Sequence, residues 1–98
     1  MEKQDVIAAL AALAHETRLD VFRLLVRAGR EGLAAGAVAE ALEIPPATLS
    51  FHLKELRNAG LVLAEREGRS IRYAPDFASM SALVGYLGEN CCRGGSCD

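Results

Sequence analysis

The sequence predicts one mainly α-helical domain in which a helix-turn-helix is followed by a single β-hairpin. Apolar residues recur at helical spacing along most of the chain. The pair Pro45-Pro46 separates two short helical segments, and the chain beyond Leu61 changes to β-rich runs around a polar turn. With 98 residues, 51% of them hydrophobic, the chain can build one core.

The first two helices are predicted from Lys3 to Ala14 and from Glu16 to Ala28. The first consists almost entirely of strong helix formers and is unusually apolar, so it needs a partner surface. The second carries one apolar face, and Gly29 ends it.

The helix-turn-helix follows a break at residues 32–36. A short helix ends before Pro45, and because proline suits a first helical turn, the next helix begins at Pro46 and runs to about Ala59. Its apolar stripe consists of Leu49, Leu53 and Leu56. Two short helices with a tight break, the second amphipathic, are typical of this motif.

The hairpin is predicted from two extended runs, Leu61–Leu63 and Ser70–Tyr73, with the polar segment 66–69 as the turn. Asp76 can then cap a last helix that runs from Phe77 to about Gly88. The chain therefore ends its folded part with a helix.

The second helix of the motif carries side chains that suit a DNA groove on the face opposite its leucines. Ser and Thr reach base edges, Phe packs on thymine methyl groups, and Lys reaches phosphate or guanine. An exposed Phe51 argues against an ordinary solvated surface. The predicted contact residues are Ala47, Thr48, Ser50, Phe51, His52 and Lys54.

The whole chain carries a formal charge of −2 and is not polybasic. Any nucleic-acid site must therefore be a local basic patch. Residues 47–73 hold five basic and three acidic side chains: Lys54, Arg57, Arg66, Arg69 and Arg72 against Glu55, Glu65 and Glu67. We expect Arg69 and Arg72, on the hairpin, to contact DNA phosphates.

Three segments in the right order resemble the ArsR/SmtB family of winged-helix repressors. Residues 46–62 resemble the recognition helix and the strand after it, residues 14–19 an upstream motif, and residues 66–73 the wing. The resemblance implies a winged helix-turn-helix homodimer, paired through its first and last helices, that binds double-stranded operator DNA until an inducer binds. The apolar surfaces of those two helices independently favour dimerisation.

We expect residues 1–90 to form the DNA-binding and dimerisation domain and residues 91–98 to form a cysteine tail. The apolar run near the start is too short to span a bilayer, which needs about 20 such residues, and acidic residues precede it. We therefore expect a cytoplasmic protein without a membrane partner. No catalytic constellation is recognisable, so we do not expect an enzyme.

The cysteines of the tail are the predicted inducer site. The segment that carries thiols in arsenite-responsive members of the family has none here, at residues 33–38, and the last helix lacks the histidines of zinc-responsive members. The remaining candidates are Cys91, Cys92 and Cys97. Soft thiolates bind thiophilic ions, so we expect trivalent arsenic or antimony as inducer and no permanent cofactor.

Two alternatives remain open. The tail cysteines could instead respond to oxidants or reactive sulfur, which would keep the repressor fold and change the signal. The protein could also be a thiol-based metal carrier, which would bind arsenic without selecting a DNA sequence.

Overall fold

The computed structural model describes residues 1–94, and its helices and strands confirm a mainly α-helical winged helix-turn-helix. The five α-helices of this part are α1 Lys3–Leu13, α2 Glu16–Ala28, α3 Ala35–Leu42, α4 Pro46–Asn58 and α5 Phe77–Gly88. The strands are β1 Leu33–Ala34, β2 Val62–Glu67 and β3 Ser70–Pro75, and a short 3₁₀ helix spans Cys91–Gly94. Cys97 lies outside the described residues.

The core of the described residues combines buried side chains from all five α-helices with Leu61 and Val62 at the start of the wing. The predicted leucine stripe of α4 is buried, which confirms the orientation of this helix. The largest fully buried side chains are Val21, Leu25, Val38, Leu49, Leu53, Leu56 and Leu61. The face of α4 opposite its leucines is therefore left to solvent.

Local signals in the sequence set the ends of the helices. Nδ1 of His15 accepts a hydrogen bond from the backbone N–H of Thr17, at 3.2 Å, and so caps the start of α2. Gly29, at φ 84°, ends that helix. The carboxylate of Asp76 accepts from the backbone N–H of Ser79, at 3.1 Å, and caps α5 as predicted.

The sheet has three antiparallel strands in the order β1-β3-β2. The sequence analysis did not predict β1, in which Leu33 pairs with Tyr73. The hairpin strands are also longer than expected, so Arg66 and Glu67 belong to β2 and only Gly68 and Arg69 separate the strands. We call β2 and β3 the wing.

The backbone packs closely where β1 meets the wing. Gly32, at φ 68°, lies directly before β1, and a Cβ at this position would collide with the carbonyl oxygen of Tyr73. Glycine is required here both by the left-handed conformation and by the lack of space. The start of the helix-turn-helix is thereby held against the wing.

Candidate nucleic-acid interface

The solvent-facing side of α4 brings together most of the predicted DNA-contacting residues. Phe51 is 55% exposed although it is aromatic. The exposed members of this face are Ala47, Thr48, Ser50, Phe51 and Lys54, and we call them the outer face of α4. Small, hydroxyl, aromatic and basic side chains on one exposed helix match what a major groove accepts.

The structure corrects the expectation for His52, which is only 6% exposed. Position 52 lies three residues after Leu49 and four before Leu56, so it shares the buried side of the helix. Its Nδ1 is 3.4 Å from Nη1 of Arg18, and its ring centroid is 4.8 Å from that of His15. We therefore remove His52 from the residues expected to contact DNA.

The surroundings of His52 favour its neutral form. Burial lowers its pKa below the ordinary value of 6.5, and the nearby His15 and Arg18 lower it further, whereas Glu55 acts in the opposite direction. A guanidinium has donors only, so in the contact between Nη1 of Arg18 and Nδ1 of His52 the ring nitrogen accepts, which favours the tautomer with its proton on Nε2. His52 is thus a neutral acceptor inside the protein.

The wing presents one of its two predicted phosphate-binding arginines freely to solvent. Arg69 is exposed at the turn between the strands. Arg72 differs, because its Nε donates to Oε1 of Glu67 at 2.7 Å and its Nη1 donates to the carbonyls of Gly32 and Glu31, at 3.1 and 3.4 Å. The structure therefore revises the expectation that Arg72 serves mainly as a phosphate contact. Its guanidinium links the wing to the loop before β1.

A polar cleft between α4 and the wing was missed by the sequence analysis. Its volume is about 490 Å³, and its lining residues are Ser50, Lys54, Arg57, Asn58 and Tyr73. Two cations beside hydroxyl and amide groups suit an anionic DNA backbone. Arg57 was counted as a charge without a role, and Tyr73 could not be placed because its position depends on strand register.

The tail begins directly after α5. Cys91 and Cys92 are exposed, and their Sγ atoms lie 3.3 Å apart. Among residues 1–94, no group of three His, Cys, Asp or Glu side chains is placed to hold a metal ion. Because Cys97 lies outside the described residues, the three-sulfur site stays a prediction.

Comparison with known proteins identifies the family. A model described as a helix-turn-helix domain matches residues 13–65. An ArsR-like transcriptional regulator from Rhodococcus sp. RHA1 is 30% identical, with 86% of this chain and 76% of that chain covered and a TM-score of 0.75. The chain belongs to the ArsR family. Another similar structure is the homodimeric winged helix-turn-helix DNA-binding domain of a possible ArsR-family regulator from Mycobacterium bovis, at 30% identity, coverages of 97% and 88%, and a TM-score of 0.70.

Several curated proteins similar to this ArsR-family chain are named as transcriptional regulators. The putative arsenical resistance operon repressor ArsR of Halobacterium salinarum is 32% identical, with coverages of 85% and 64%. The transcriptional activator HlyU of Vibrio cholerae is 30% identical, with coverages of 95% and 85%. An uncharacterized regulator, YceK of Bacillus subtilis, is 41% identical over 60% of this chain. The matched segment covers only 58% of the length of that protein. No helix in the described part of the chain is long and apolar enough to cross a membrane.

Proposed function

We propose that this ArsR-family chain is a homodimeric repressor that binds operator DNA and leaves it when its tail cysteines bind trivalent arsenic or antimony. The observation that carries DNA binding is the outer face of α4, which is exposed and borders the polar cleft through Ser50 and Lys54. Tyr73 of β3 lines the same cleft, so the helix that fits a major groove adjoins the wing, whose Arg69 is exposed at the turn.

Dimerisation is supported by apolar side chains that α1 and α5 leave in solvent. Ile7 and Leu10 of α1 are 51% and 41% exposed, and Val84 and Leu87 of α5 are 65% and 60% exposed. Exposed apolar side chains gathered on two helices mark a surface for association. A two-fold dimer would present two α4 helices to two half-sites of a palindromic operator.

The inducer is supported by the chemistry of the tail. Cys91 and Cys92 are adjacent in the chain, and in their reduced thiolate form both sulfurs can bind one thiophilic ion. The similar Halobacterium protein is named as a repressor of an arsenical resistance operon. Binding free energies are reciprocal, so an inducer that weakens DNA binding is itself weakened by DNA to the same degree, typically by about 5- to 150-fold.

A redox-responsive repressor is the second candidate, because cysteines close together in the chain can pass between dithiol and disulfide forms. One of the similar structures, 28% identical, is described as reduced HlyU from Vibrio cholerae. In this case an oxidant would release DNA without any metal ion. A metal carrier of the same fold would instead bind arsenic and show no selective DNA binding.

A titration of DNA binding distinguishes these functions. A duplex is selected from a random-sequence pool by the purified protein, and its affinity is measured in reducing buffer with arsenite, antimonite, zinc or cadmium. We expect release by arsenite and antimonite at concentrations where zinc has no effect. A parallel titration replaces the reductant and the metal ion with an oxidant, and release only under that condition would favour the redox function. Failure to select any duplex would overturn the proposed DNA-binding function.

A further inference from the structure

Arg18 joins three helices at the base of the DNA-facing surface. From α2, its Nε donates to the carbonyl of Ala12 near the end of α1, at 2.7 Å. Its Nη1 donates to Nδ1 of His52 in α4, at 3.4 Å. One guanidinium therefore bridges the helix proposed to form the dimer and the helix proposed to enter DNA.

The bridge needs the shape of arginine. The guanidinium presents donors in a rigid planar fork, so one side chain can reach a carbonyl on one helix and a ring nitrogen on another. A lysine carries its donors on one ammonium nitrogen at the end of a flexible stem, so it does not reproduce the two separate donor positions of the guanidinium. The contact to His52 is long, so its contribution depends on the firmer bond to Ala12.

His52 also touches a residue of the outer face of α4. The ring of Phe51 meets the ring of His52 edge-on, with centroids 5.6 Å apart. Phe51 is exposed and is the aromatic residue of the outer face of α4 that we expect to contact DNA. A shift of the buried imidazole would therefore move a side chain that faces the groove.

The charge state of His52 decides whether the bridge can form. The groups that face it are His15 from the turn before α2, Arg18 from α2 and Glu55 from α4. When His52 takes up a proton, Nδ1 becomes a donor and faces the donors of Arg18 with a like charge. Only Glu55 would offset that repulsion.

We propose that Arg18 is a positioning residue for DNA binding, which holds α4 against α1 through neutral His52 and releases it when His52 is protonated. The proposal rests on the proposed DNA-binding function and adds a residue that lies on neither the outer face of α4 nor the wing. Because the pKa of His52 lies below 6.5, affinity is full above that pH and falls as the pH decreases further.

The test measures affinity for the selected duplex between about pH 7.5 and about pH 5. Wild type is compared with His52→Asn, whose side-chain oxygen can replace Nδ1 as a neutral acceptor that does not titrate. His15→Asn is the matched control, since Asn also caps helices. We expect wild type to lose up to roughly tenfold in affinity per pH unit and protomer. His15→Asn should show the same fall displaced to higher pH, because His15 lowers the pKa of His52, and His52→Asn should lose much less.

Two further measurements separate positioning from simple folding. Nitrogen-15 NMR of the imidazole should find the proton of His52 on Nε2 at neutral pH. Arg18→Lys should keep the wild-type circular dichroism spectrum and lower the affinity severalfold, with a smaller loss in a His52→Leu background, where the bridge is already absent.

Each outcome decides the proposal. A proton on Nδ1, or equal pH dependence in wild type and His52→Asn, would overturn it while DNA binding stood. Equal effects of Arg18→Lys in both backgrounds would also overturn it. If no duplex can be selected at all, the proposed function fails first and this inference fails with it.

Discussion

Arg72 and Glu67 form an ion pair across the wing, with Nε and Oε1 2.7 Å apart. Both side chains are about half exposed, so the pair itself contributes little, and the bonds from Arg72 to the backbone carbonyls hold more. We expect Arg72→Ala to lower the free energy of unfolding by about 1 kcal/mol, measured by urea denaturation.

Arg69 provides the matched comparison for that arginine. It is exposed at the turn, so Arg69→Ala should leave stability unchanged, weaken binding to all duplexes and lower the slope of log affinity against log salt by about one unit. Intact affinity and salt slope after Arg69→Ala would show that the wing does not contact phosphate. A stability unchanged by Arg72→Ala would show that the brace is unimportant.

The close approach of Gly32 to β3 predicts different costs for two glycines. Gly32→Ala and Gly68→Ala both force alanine into positive φ, at 68° and 61°, which costs about 1–2 kcal/mol. Only at position 32 does the added methyl group also meet the carbonyl of Tyr73. Thermal unfolding should therefore show a clearly larger loss of stability for Gly32→Ala. Equal losses of stability would mean that the backbone around Tyr73 shifts at little cost to accommodate the methyl group.

The exposed apolar surface of α1 predicts a dimer that a single charge disrupts. Leu10→Glu should lower both the dimer fraction, measured by sedimentation, and operator affinity, because a carboxylate would be buried at the interface. Leu63→Glu is a control of comparable exposure on the wing and should leave the dimer intact. A Leu10→Glu protein that stays dimeric would exclude this face of α1 from the interface.

Phe51 should influence which sequences are bound. Its exposed ring can pack on a thymine methyl group, so Phe51→Ala should reduce discrimination at one base pair, by about 1–3 kcal/mol, in a repeated duplex selection. Ser50→Ala should change preference at a neighbouring position. Leu63→Ala, which removes an equally exposed side chain outside α4, should change neither. An unaltered consensus in Phe51→Ala would exclude the ring from base recognition.

The tail cysteines should control induction but not DNA affinity. Cys91→Ser and Cys92→Ser should each abolish release by arsenite and leave affinity without inducer unchanged, because neither residue lies on α4 or the wing. Cys97→Ser should do the same if three sulfurs bind the ion, which X-ray absorption can count directly. Undiminished release in all three variants would place the inducer site elsewhere.

The helices could be read from the sequence because their signals are local. Caps, prolines and apolar spacing gave the bounds of α2 and α5 without error. Strand β1 could not be predicted, because its two residues are too few to show a periodicity and they pair with a strand far along the chain. The structural roles of His52 and Arg72 could not be predicted for the same reason. Their partners, Arg18 and Gly32, come close to them only in the folded chain.

The brace between Arg72 and Gly32 has a consequence for the order of folding. It joins positions 40 residues apart and encloses α3 and α4 in a closed loop of chain. Closing such a loop costs entropy before its contacts form, so the helices should form early and the seam between β1 and β3 late. Weakening that seam should then accelerate unfolding more than it slows refolding.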